Sequence, residues 1–273
     1  MTRFLLIGAA LLSFTGRTLA TDTAPANTET KPRATIMAVK VDTPPVIDGI
    51  MDDEVWNLAP KSSPFVQDDP VHGVPMTERT EFRVLYDDQA LYLGFWCFDF
   101  EPNKILARTM SRDNWPDADD FLIISIDPFL DRRNGYMFAV NPNGSRFDAI
   151  INNNAYAGSS WDTIWDCRGK VTNKGWFCEF KLPFDSIAFA PNNTTWGFNV
   201  ERTIRRKNEE GKWHSEGRHL STSAMANAGE IRGLKGLGKV SKWDVTPYAV
   251  GKYQYDNLSG DGNTIGEFGG DIS

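Results

Sequence analysis

Three short apolar segments separated by turns, between positions 121 and 151, constrain the fold of this chain more than any other feature. FLIISID is followed by the charged turn DPFLDRRNG, then by YMFAVN, the tight turn NPNG and RFDAII. Apolar segments bounded by Pro, Asn and Gly are typical of antiparallel strands joined by hairpins. Most polar residues fall in the connections, so the sequence predicts that the chemistry lies at the edges of a sheet.

The other segments extend the same pattern. TEFRVLYDD alternates apolar and polar residues, ALYLGFWCFDF is apolar on both faces as a central strand requires, and TTWGFNVERTIRRK has the character of a long strand. One short helix is predicted over 52–59, with Asp52 as its N-cap and with Trp56, Leu58 and Ala59 on its buried side. Short strands without a long helical period predict an all-β fold, an antiparallel β-sandwich of about 200 residues.

Residues 1–20 have the pattern of a secretory signal peptide, with a positive charge at Arg3, an apolar run to Phe14 and a small-residue cleavage site ending at Ala20. The run is too short to span a bilayer as a helix, and an N-terminal membrane anchor is the alternative. Residues 21–35 are rich in Thr, Pro and charge, which predicts a flexible linker. The sequence thus predicts export to the periplasm, the outer membrane or the cell surface.

The charge of the chain limits the classes of ligand. A formal charge of −7 at pH 7 becomes more negative once a signal peptide containing Arg3 and Arg17 is removed. An acidic protein is poorly suited to nucleic acid or to an anionic membrane surface. Neutral ligands such as sugars, or cations, remain.

The three cysteines lack the paired spacing of zinc or iron–sulfur sites. Cys97 lies in a segment that is apolar on both faces, and it is expected to be buried. Cys167 and Cys178 flank a predicted hairpin turn at 172–175, so they could form a disulfide after export. A register slip of one residue would separate them.

The C-terminal part has two interpretations. From Trp243, WDVTPYAVGKYQYD alternates over about the length of a tilted membrane strand, and Gly-rich sequence then runs to GGDIS without a closing element. One membrane strand cannot satisfy its own edges. The segment is therefore either a last sandwich strand or the start of a barrel that the sequence truncates.

Four blocks, PPVIDGIMDDEVWNLA, DDQALYLGFWCFD, NWPDADDFLIISIDPFLDRRNGYMFAVNPNGSRFD and KGWFCEFKLPF, occur in the order found in carbohydrate-binding module family 9-like domains. The chain resembles that family, and it is most similar to the bacterial branch in which the sandwich precedes a C-terminal outer-membrane barrel region of unknown function. The resemblance implies a β-sandwich over 36–240. It also implies that 241–273 begin the truncated barrel region, because VTPYAV and GGDIS resemble its entry.

The resemblance implies a sugar contact at Trp115, because sugar-binding family 9 modules have a tryptophan just before their Asp-rich strand. An exposed indole offers flat apolar area to a sugar ring, and polar neighbours bind the hydroxyls. Trp213, in GKWHSEG, is a candidate for the opposing wall, and both tryptophans alternatively pack on their own loops. Arg112 and Asp119 are candidate hydroxyl contacts, although pairing with a neighbour such as Asp113 is favoured for the arginine.

Asp117, Asp119 and Asn141 are candidate ligands of a structural calcium ion, because oxygen atoms in loops are the ligands that Ca²⁺ prefers and because the resemblance implies such sites. Catalysis is not expected. Asp119 and Asp120 are adjacent, so on a strand they point to opposite faces. Asp117 and Asp119 could share a face, but nothing in an exposed polar loop would raise the pKa of either carboxyl, as a glycosidase requires.

The sequence therefore predicts non-catalytic carbohydrate binding by an exported sandwich, in a carbohydrate catabolic context, as the N-terminal part of a larger outer-membrane protein. The expected partners are a glycan or soluble sugar and the outer-membrane barrel region, with no nucleic acid. One alternative is a plug or assembly domain without a sugar site, in which its own chain would cover more than half of Trp115. The other is a glycoside hydrolase, acting on O-glycosyl bonds, with opposed carboxyls in a cleft.

Overall fold

The three predicted strands lie at the centre of a large sheet in the computed structural model, which describes residues 32–158, 160–237, 245–255 and 262–272. In chain order the strands are β1 Thr35–Met37, β2 Val39–Lys40, β3 Val66–Asp69, β4 Thr80–Tyr86, β5 Ala90–Phe98, β6 Phe121–Asp127, β7 Gly135–Val140, β8 Arg146–Asn152, β9 Ala155–Tyr156, β10 Asp166–Thr172, β11 Gly175–Pro183, β12 Thr195–Ile204, β13 Glu209–Lys212, β14 Gly229–Arg232, β15 Val245–Tyr255 and β16 Gly262–Ile272. The described residues also form 3-10 helices at Glu54–Leu58, Pro102–Lys104, Phe184–Ser186, Arg205–Lys207 and Met225–Asn227. No helix in these ranges is long and apolar enough to span a membrane.

Two sheets share one core. The larger sheet has the order β1-β14-β12-β6-β7-β8-β9, with β13 pairing both β12 and β3, and the smaller has the order β10-β11-β5-β4-β2. Pairing is antiparallel except at two edges, where β1 runs parallel to β14 and β2 runs parallel to β4. Both sheets contribute buried side chains to the core, among them Phe82, Phe95, Ile124, Phe138 and Phe198. This arrangement confirms the predicted all-β sandwich.

The larger sheet is buried on its second face as well, along β6 to β8. Leu122 and Ile124 point into the core between the sheets, whereas Phe121 and Ile123 join a separate cluster on the opposite face. The other members of this second-face cluster are Met137, Ala139, Phe147, Ala149, Ile151, Met225 and Ala228. Because apolar surface is costly to leave in water, this face requires cover. Met225 and Ala228, from the connection between β13 and β14, supply part of it.

The predicted helix over 52–59 is a shorter 3-10 helix, with Asp53 rather than Asp52 at the N-cap position. Trp56 is buried as predicted, and its indole N–H donates to the buried Glu179 carboxylate at 3.0 Å. The prediction that Leu58 is buried was wrong, since its exposed fraction is 63%. Residues two positions apart on a helix do not share a face, so Trp56 and Leu58 cannot both point inward.

The C-terminal segment also differs from its prediction. The stretch expected to lack a closing element forms β16, which pairs with β15 as an antiparallel hairpin from Val245 opposite Ile272 to Tyr255 opposite Gly262. The polar, Gly-rich composition concealed this strand, because glycine is depleted in strands. The signal peptide, most of the predicted linker and Trp243 lie outside the described residues.

The predicted hairpin around residues 172–175 is confirmed, with Thr172 opposite Gly175 in the pairing of β10 and β11. Gly169 rather than Cys167 lies opposite Cys178, so the two cysteines are diagonal neighbours on one face. Both thiols are free and fully buried, and their Sγ atoms are 3.0 Å apart. Burial, together with the neighbouring Cys167, raises the pKa of Cys178, so little reactive thiolate forms in the folded protein.

We expect oxidative refolding with oxidised glutathione to join Cys167 and Cys178 in a disulfide, each thiol losing its hydrogen as glutathione is reduced. Closing this short loop should raise the free energy of unfolding by about 3 kcal/mol. Urea unfolding measures the gain, and mass spectrometry after alkylation should find Cys97 as the one free thiol. The Cys97→Ala variant should keep the bond. Three alkylated thiols in refolded wild-type protein would contradict the prediction.

Candidate functional site

A cavity of about 710 Å³ lies over β6 to β8 on the second face of the larger sheet. Its apolar lining consists of Trp115, Ile123, Met137, Phe147, Tyr156 and Leu220. Its polar lining consists of Asp68, Asp113, Glu201, Glu210, Lys212, His219, Ser221, Thr222 and Ser223. This volume and the mixture of apolar and convergent polar groups are typical of small-molecule binding sites.

Aromatic side chains form one wall of the cavity. The Trp115 ring makes T-shaped contacts with Phe121, at a centroid distance of 5.6 Å, and with Phe147, at 5.2 Å. Tyr156 lies 6.3 Å from Phe147 and is about half exposed. Pairing of β8 with β9 brings Tyr156 beside Ile151 and hence next to this wall. The second-face cluster thus supports rings that border open space.

Trp115, the residue predicted to contact sugar, lies in the wall of the cavity. Its exposed fraction is 37%, so its own chain covers more than half of its surface. That degree of cover is the result expected from the plug or assembly alternative. The cover comes from edge-on aromatic contacts, and the ring still borders the cavity.

A buried lysine organises the polar side of the cavity. Lys212 Nζ donates to Asp68 Oδ2 and to the Leu220 carbonyl, each at 2.7 Å, and lies 3.6 Å from Glu201 Oε2. Thr222 Oγ1 donates to the same oxygen of Glu201. The antiparallel pairing of β12 with β13 sets Glu201 opposite Lys212, which fixes the position of both groups.

The two carboxylates near Lys212 have opposite pKa shifts. Burial alone would raise the pKa of Asp68, but the hydrogen bond and charge of Lys212 lower it, with further hydrogen bonds from His219 and His72. Burial raises the pKa of Glu201, and the positive charge of Lys212 only partly offsets that effect. The negative charges of Glu210 and Asp68 raise it further. The cavity therefore contains an excess of closely spaced carboxyl groups.

Trp213 does not form the predicted opposing wall. Its side chain is 3% exposed and lies in the core between the sheets, with ring centroids 5.2 Å from Phe82 and 5.9 Å from Phe198. The residue directly follows β13, and its polar neighbours in GKWHSEG suggested a loop. Trp213 continues the alternation of β13, in which successive residues face opposite sides of the sheet. Its ring therefore points into the core, whereas Lys212 points to the second face.

Asp119 has a structural position rather than one in the cavity. Its carboxylate is fully buried and accepts hydrogen bonds from the backbone N–H groups of Arg108 at 2.7 Å and Thr109 at 2.8 Å. Asn141 Nδ2 donates to it at 2.8 Å. These bonds attach the β5–β6 connection, which carries Trp115, to the end of β7. Asp119 therefore acts on the site by positioning this connection.

The three predicted calcium ligands do not present converging oxygen atoms. Asn141 directs its amide nitrogen at Asp119, while Asn141 Oδ1 accepts from the backbone N–H groups of Asn143 and Ser145. Asp117 is exposed. The hydrogen bonds use the oxygen atoms that a hard cation would require. A calcium site with this ligand set is therefore not supported by the geometry.

Arg112 pairs with acidic neighbours, which was the favoured alternative to a sugar contact. Its guanidinium contacts Asp162 and lies 3.5 Å from Asp113 and 3.4 Å from Asp148. These three carboxylates converge closely enough to suggest a metal site, but the Arg112 guanidinium already lies among them as a cationic partner. Arg112 does not line the cavity.

The reason given for excluding catalysis was partly wrong. Asp119 is buried rather than exposed, and so is the adjacent Asp120, whose pKa burial raises. The pKa of Asp119 is lowered, because backbone hydrogen bonds from Thr109 and Arg108 outweigh its burial. Neither carboxyl lines the cavity. Of the carboxylates that do, Asp113 was expected only to pair with Arg112, and Asp68, Glu201 and Glu210 were not candidates from the sequence.

A weak sequence signal did mark Glu201. In FNVERTI of β12, Phe198 and Val200 point to the core, while Asn199 and Glu201 occupy the alternate, second-face positions. Polar residues on that face of a central strand indicate contact with solvent or a ligand. Asp68, in the short strand β3, gave no comparable signal, because two adjacent Asp residues lack an apolar alternation.

The family model described as carbohydrate family 9 binding domain-like matches residues 47–216. A carbohydrate binding module family 9 from Caldicellulosiruptor kristjanssonii, solved in complex with cellotriose, is similar in structure. It shares 21% identity over 76% of this chain and 97% of that chain, with a TM-score of 0.53. A structure of a family 9 module from the same organism in complex with glucose shares 18% identity, over 76% and 100% of the two chains, with a TM-score of 0.53.

A third similar structure, from Bacteroides uniformis, shares 12% identity over 74% of this chain and 99% of that chain, with a TM-score of 0.58. At these identities, the similarity of this chain to the three structures establishes a common fold and nothing further. No curated protein matches the chain significantly.

Proposed function

The chain belongs to the carbohydrate family 9 binding domain-like family, and we propose that it binds carbohydrate, without catalysis, in the cavity over β6 to β8. The observation that carries the proposal is the pairing of an aromatic wall, at Trp115 and Tyr156, with the polar groups of Glu201 and Thr222 in one cavity. A sugar ring has an apolar C–H face and a rim of hydroxyls. Both parts find complementary groups here.

Glucose-based oligosaccharides are the first ligands to test, since two of the similar structures hold cellotriose and glucose. We expect calorimetry with the full chain to detect binding of at least one glycan among cellotriose, xylan oligomers and soluble monosaccharides. Affinity electrophoresis in gels containing cellulose derivatives or xylan provides an independent measurement. If none of these glycans binds while the circular dichroism spectrum still shows the folded β-sheets, the proposal is overturned.

We further propose that the protein is exported and acts in carbohydrate catabolism ahead of an outer-membrane barrel region. The signal-like pattern of residues 1–20 supports export. The hairpin of β15 and β16 supports the barrel proposal, because Tyr253 and Phe268 lie on one face of it and are both more than half exposed, and alternate strand positions that face lipid are apolar. Cell fractionation, with detection of the chain in the outer-membrane or periplasmic fraction, tests this part.

A plug or assembly domain is the second candidate, favoured by the covered surface of Trp115. In that case the cavity would receive protein rather than sugar, and no glycan would bind.

A glycoside hydrolase is favoured by the raised pKa of Glu201 beside other carboxylates. Release of the aryl group from aryl glycosides, abolished by Glu201→Gln, would establish the hydrolase. We expect no release above the buffer control.

A further inference from the structure

We propose that the cavity selects glycans that carry a protonated primary amine, such as oligomers of glucosamine, over neutral and acidic glycans. This inference rests on the proposed function and specifies its ligand. It is carried by the uneven distribution of charge around the cavity. Four carboxylates line it, those of Asp68, Asp113, Glu201 and Glu210, against Lys212 and His219.

Lys212 is not available to attract an anionic ligand. Its side chain is 5% exposed, and its ammonium group already donates to Asp68 and to the Leu220 carbonyl. Glu201 Oε2 lies 3.6 Å away, within ion-pair distance of the same ammonium group. The ammonium group of the lining is therefore committed to groups of the protein.

Two of the four carboxylates have cationic partners of their own. Asp68 bonds to Lys212 at 2.7 Å, and Asp113 lies 3.5 Å from the Arg112 guanidinium. Glu201 shares Lys212 with Asp68 at a longer distance, and its second oxygen has no hydrogen-bond donor among the described residues. Glu210 forms no ion pair in the described part of the chain, and its side chain is half-buried. Glu201 is thus only partly compensated by Lys212, and Glu210 has no cationic partner in the described part of the chain.

The carboxylates of Glu201 and Glu210 lie close together. Glu201 is on β12 opposite Lys212, and Glu210 is on β13 opposite Thr203, so they occupy neighbouring strands beside one cavity. Their mutual repulsion contributes to the raised pKa of Glu201, after burial as the main cause. A ligand cation near both groups would relieve this repulsion, because opposite charges attract strongly where water is partly excluded.

A protonated amino sugar fits both halves of the cavity. Its ring offers an apolar face to Trp115, and its ammonium group offers donors and a charge to Glu201 and Glu210. N-acetylation removes that charge, so an N-acetylated sugar should lose the additional attraction to Glu201 and Glu210. A uronic acid would bring a further carboxylate toward the two already present, and this repulsion is unfavourable.

The test measures by calorimetry, on the full chain at low salt, the affinities of four trimers of matched length: glucosamine, N-acetylglucosamine, cellotriose and galacturonic acid. We expect the glucosamine trimer to bind about tenfold more tightly than cellotriose, and the galacturonic acid trimer to bind most weakly. Raising the salt to about 0.5 M should narrow the difference, since exposed charges are screened.

Variants separate the cavity from the general acidity of the protein. Glu210→Gln and Glu201→Gln should each reduce the ratio of glucosamine to cellotriose affinity, and the double variant should abolish the preference. Glu54→Gln removes the same charge from an exposed position outside the cavity and should leave the ratio unchanged. Trp115→Ala should weaken the binding of both the glucosamine trimer and cellotriose. Non-specific attraction of a cation to the acidic protein would not depend on Trp115.

The outcomes distinguish this inference from the proposed function. If cellotriose binds as tightly as the glucosamine trimer, or the galacturonic acid trimer binds equally well, the preference for amines is refuted while carbohydrate binding stands. The same holds if Glu54→Gln lowers the ratio as much as Glu210→Gln does. If none of the trimers binds to folded protein, this inference is refuted, and if no xylan oligomer or monosaccharide binds either, the proposed function is refuted as well.

Discussion

Replacing Trp115 by alanine should weaken glycan binding by at least tenfold while the sandwich stays folded. The ring borders the cavity and is the aromatic group that Phe121 and Phe147 hold in place. A central aromatic contact commonly contributes about 2 kcal/mol or more to binding, and about 1.4 kcal/mol corresponds to a factor of ten. Calorimetry with the tightest-binding glycan of the panel measures the loss.

The loss of stability in the same variant should be smaller. Trp115 is 37% exposed, and partly exposed aromatic groups contribute less to folding than core residues do. We expect the free energy of unfolding to fall by about 1–2 kcal/mol, measured by urea denaturation. Trp115→Phe keeps a smaller aromatic face and should retain part of the affinity.

Trp161 provides a matched control for this substitution. It stacks on Tyr136 at a centroid distance of 4.9 Å and does not line the cavity. Trp161→Ala should therefore cost stability but leave glycan affinity within about twofold. If Trp115→Ala binds glycan as tightly as the wild type, the wall is not the binding surface. The covered surface of Trp115 would then favour the plug or assembly candidate.

The sequence predicted the sheet well because its central strands have strong local patterns. The strands β5 and β6 are apolar at successive positions, as expected for strands that are buried on both faces. The turns between β6, β7 and β8 contain Asn, Gly and Pro. The strands β3 and β13 were missed. Each is four residues long and rich in polar residues, so their pairing with each other and with β12 depends on tertiary contacts.

The candidate site was predicted only in part, for a related reason. Trp115 precedes an Asp-rich strand, and this local pattern, together with the family resemblance, identified it. Asp68, Glu201 and Lys212 come from β3, β12 and β13, and only the folded sheet brings them to one cavity. Trp213 shows the opposite error, since a tryptophan among polar residues resembles an exposed ring but completes the core.

Asp119→Ala should be the most destabilising single change in the connection that carries Trp115. The carboxylate is fully buried and accepts three hydrogen bonds, from the backbone N–H groups of Arg108 and Thr109 and from the Asn141 amide. Truncation leaves these donors without an acceptor in a space closed to water. Each unsatisfied buried group costs about 1–3 kcal/mol, and such costs are not fully additive.

We therefore expect Asp119→Ala to lower the free energy of unfolding by about 3–5 kcal/mol, measured by urea denaturation at pH 7. Asp117→Ala makes the same chemical change two residues earlier, at an exposed position, and should change stability by less than about 0.5 kcal/mol. Glycan affinity should fall in Asp119→Ala even where the protein is still folded, because the connection loses its attachment to β7. Equal stability of the two variants would contradict the structural role.

The charge on Asp119 should make this difference depend on pH. Burial alone would raise the pKa of the carboxyl, but the hydrogen bonds from Thr109, Arg108 and Asn141 lower it below the value of an unfolded Asp. A depressed pKa stabilises the folded state above the unfolded pKa of about 4, and this contribution is lost as pH falls toward the folded value. The stability difference between wild type and Asp119→Asn should thus be full at pH 7 and smaller at about pH 3. A difference that stays constant across this range would mean that the hydrogen-bond geometry of Asp119, and not its charge, attaches the connection that carries Trp115.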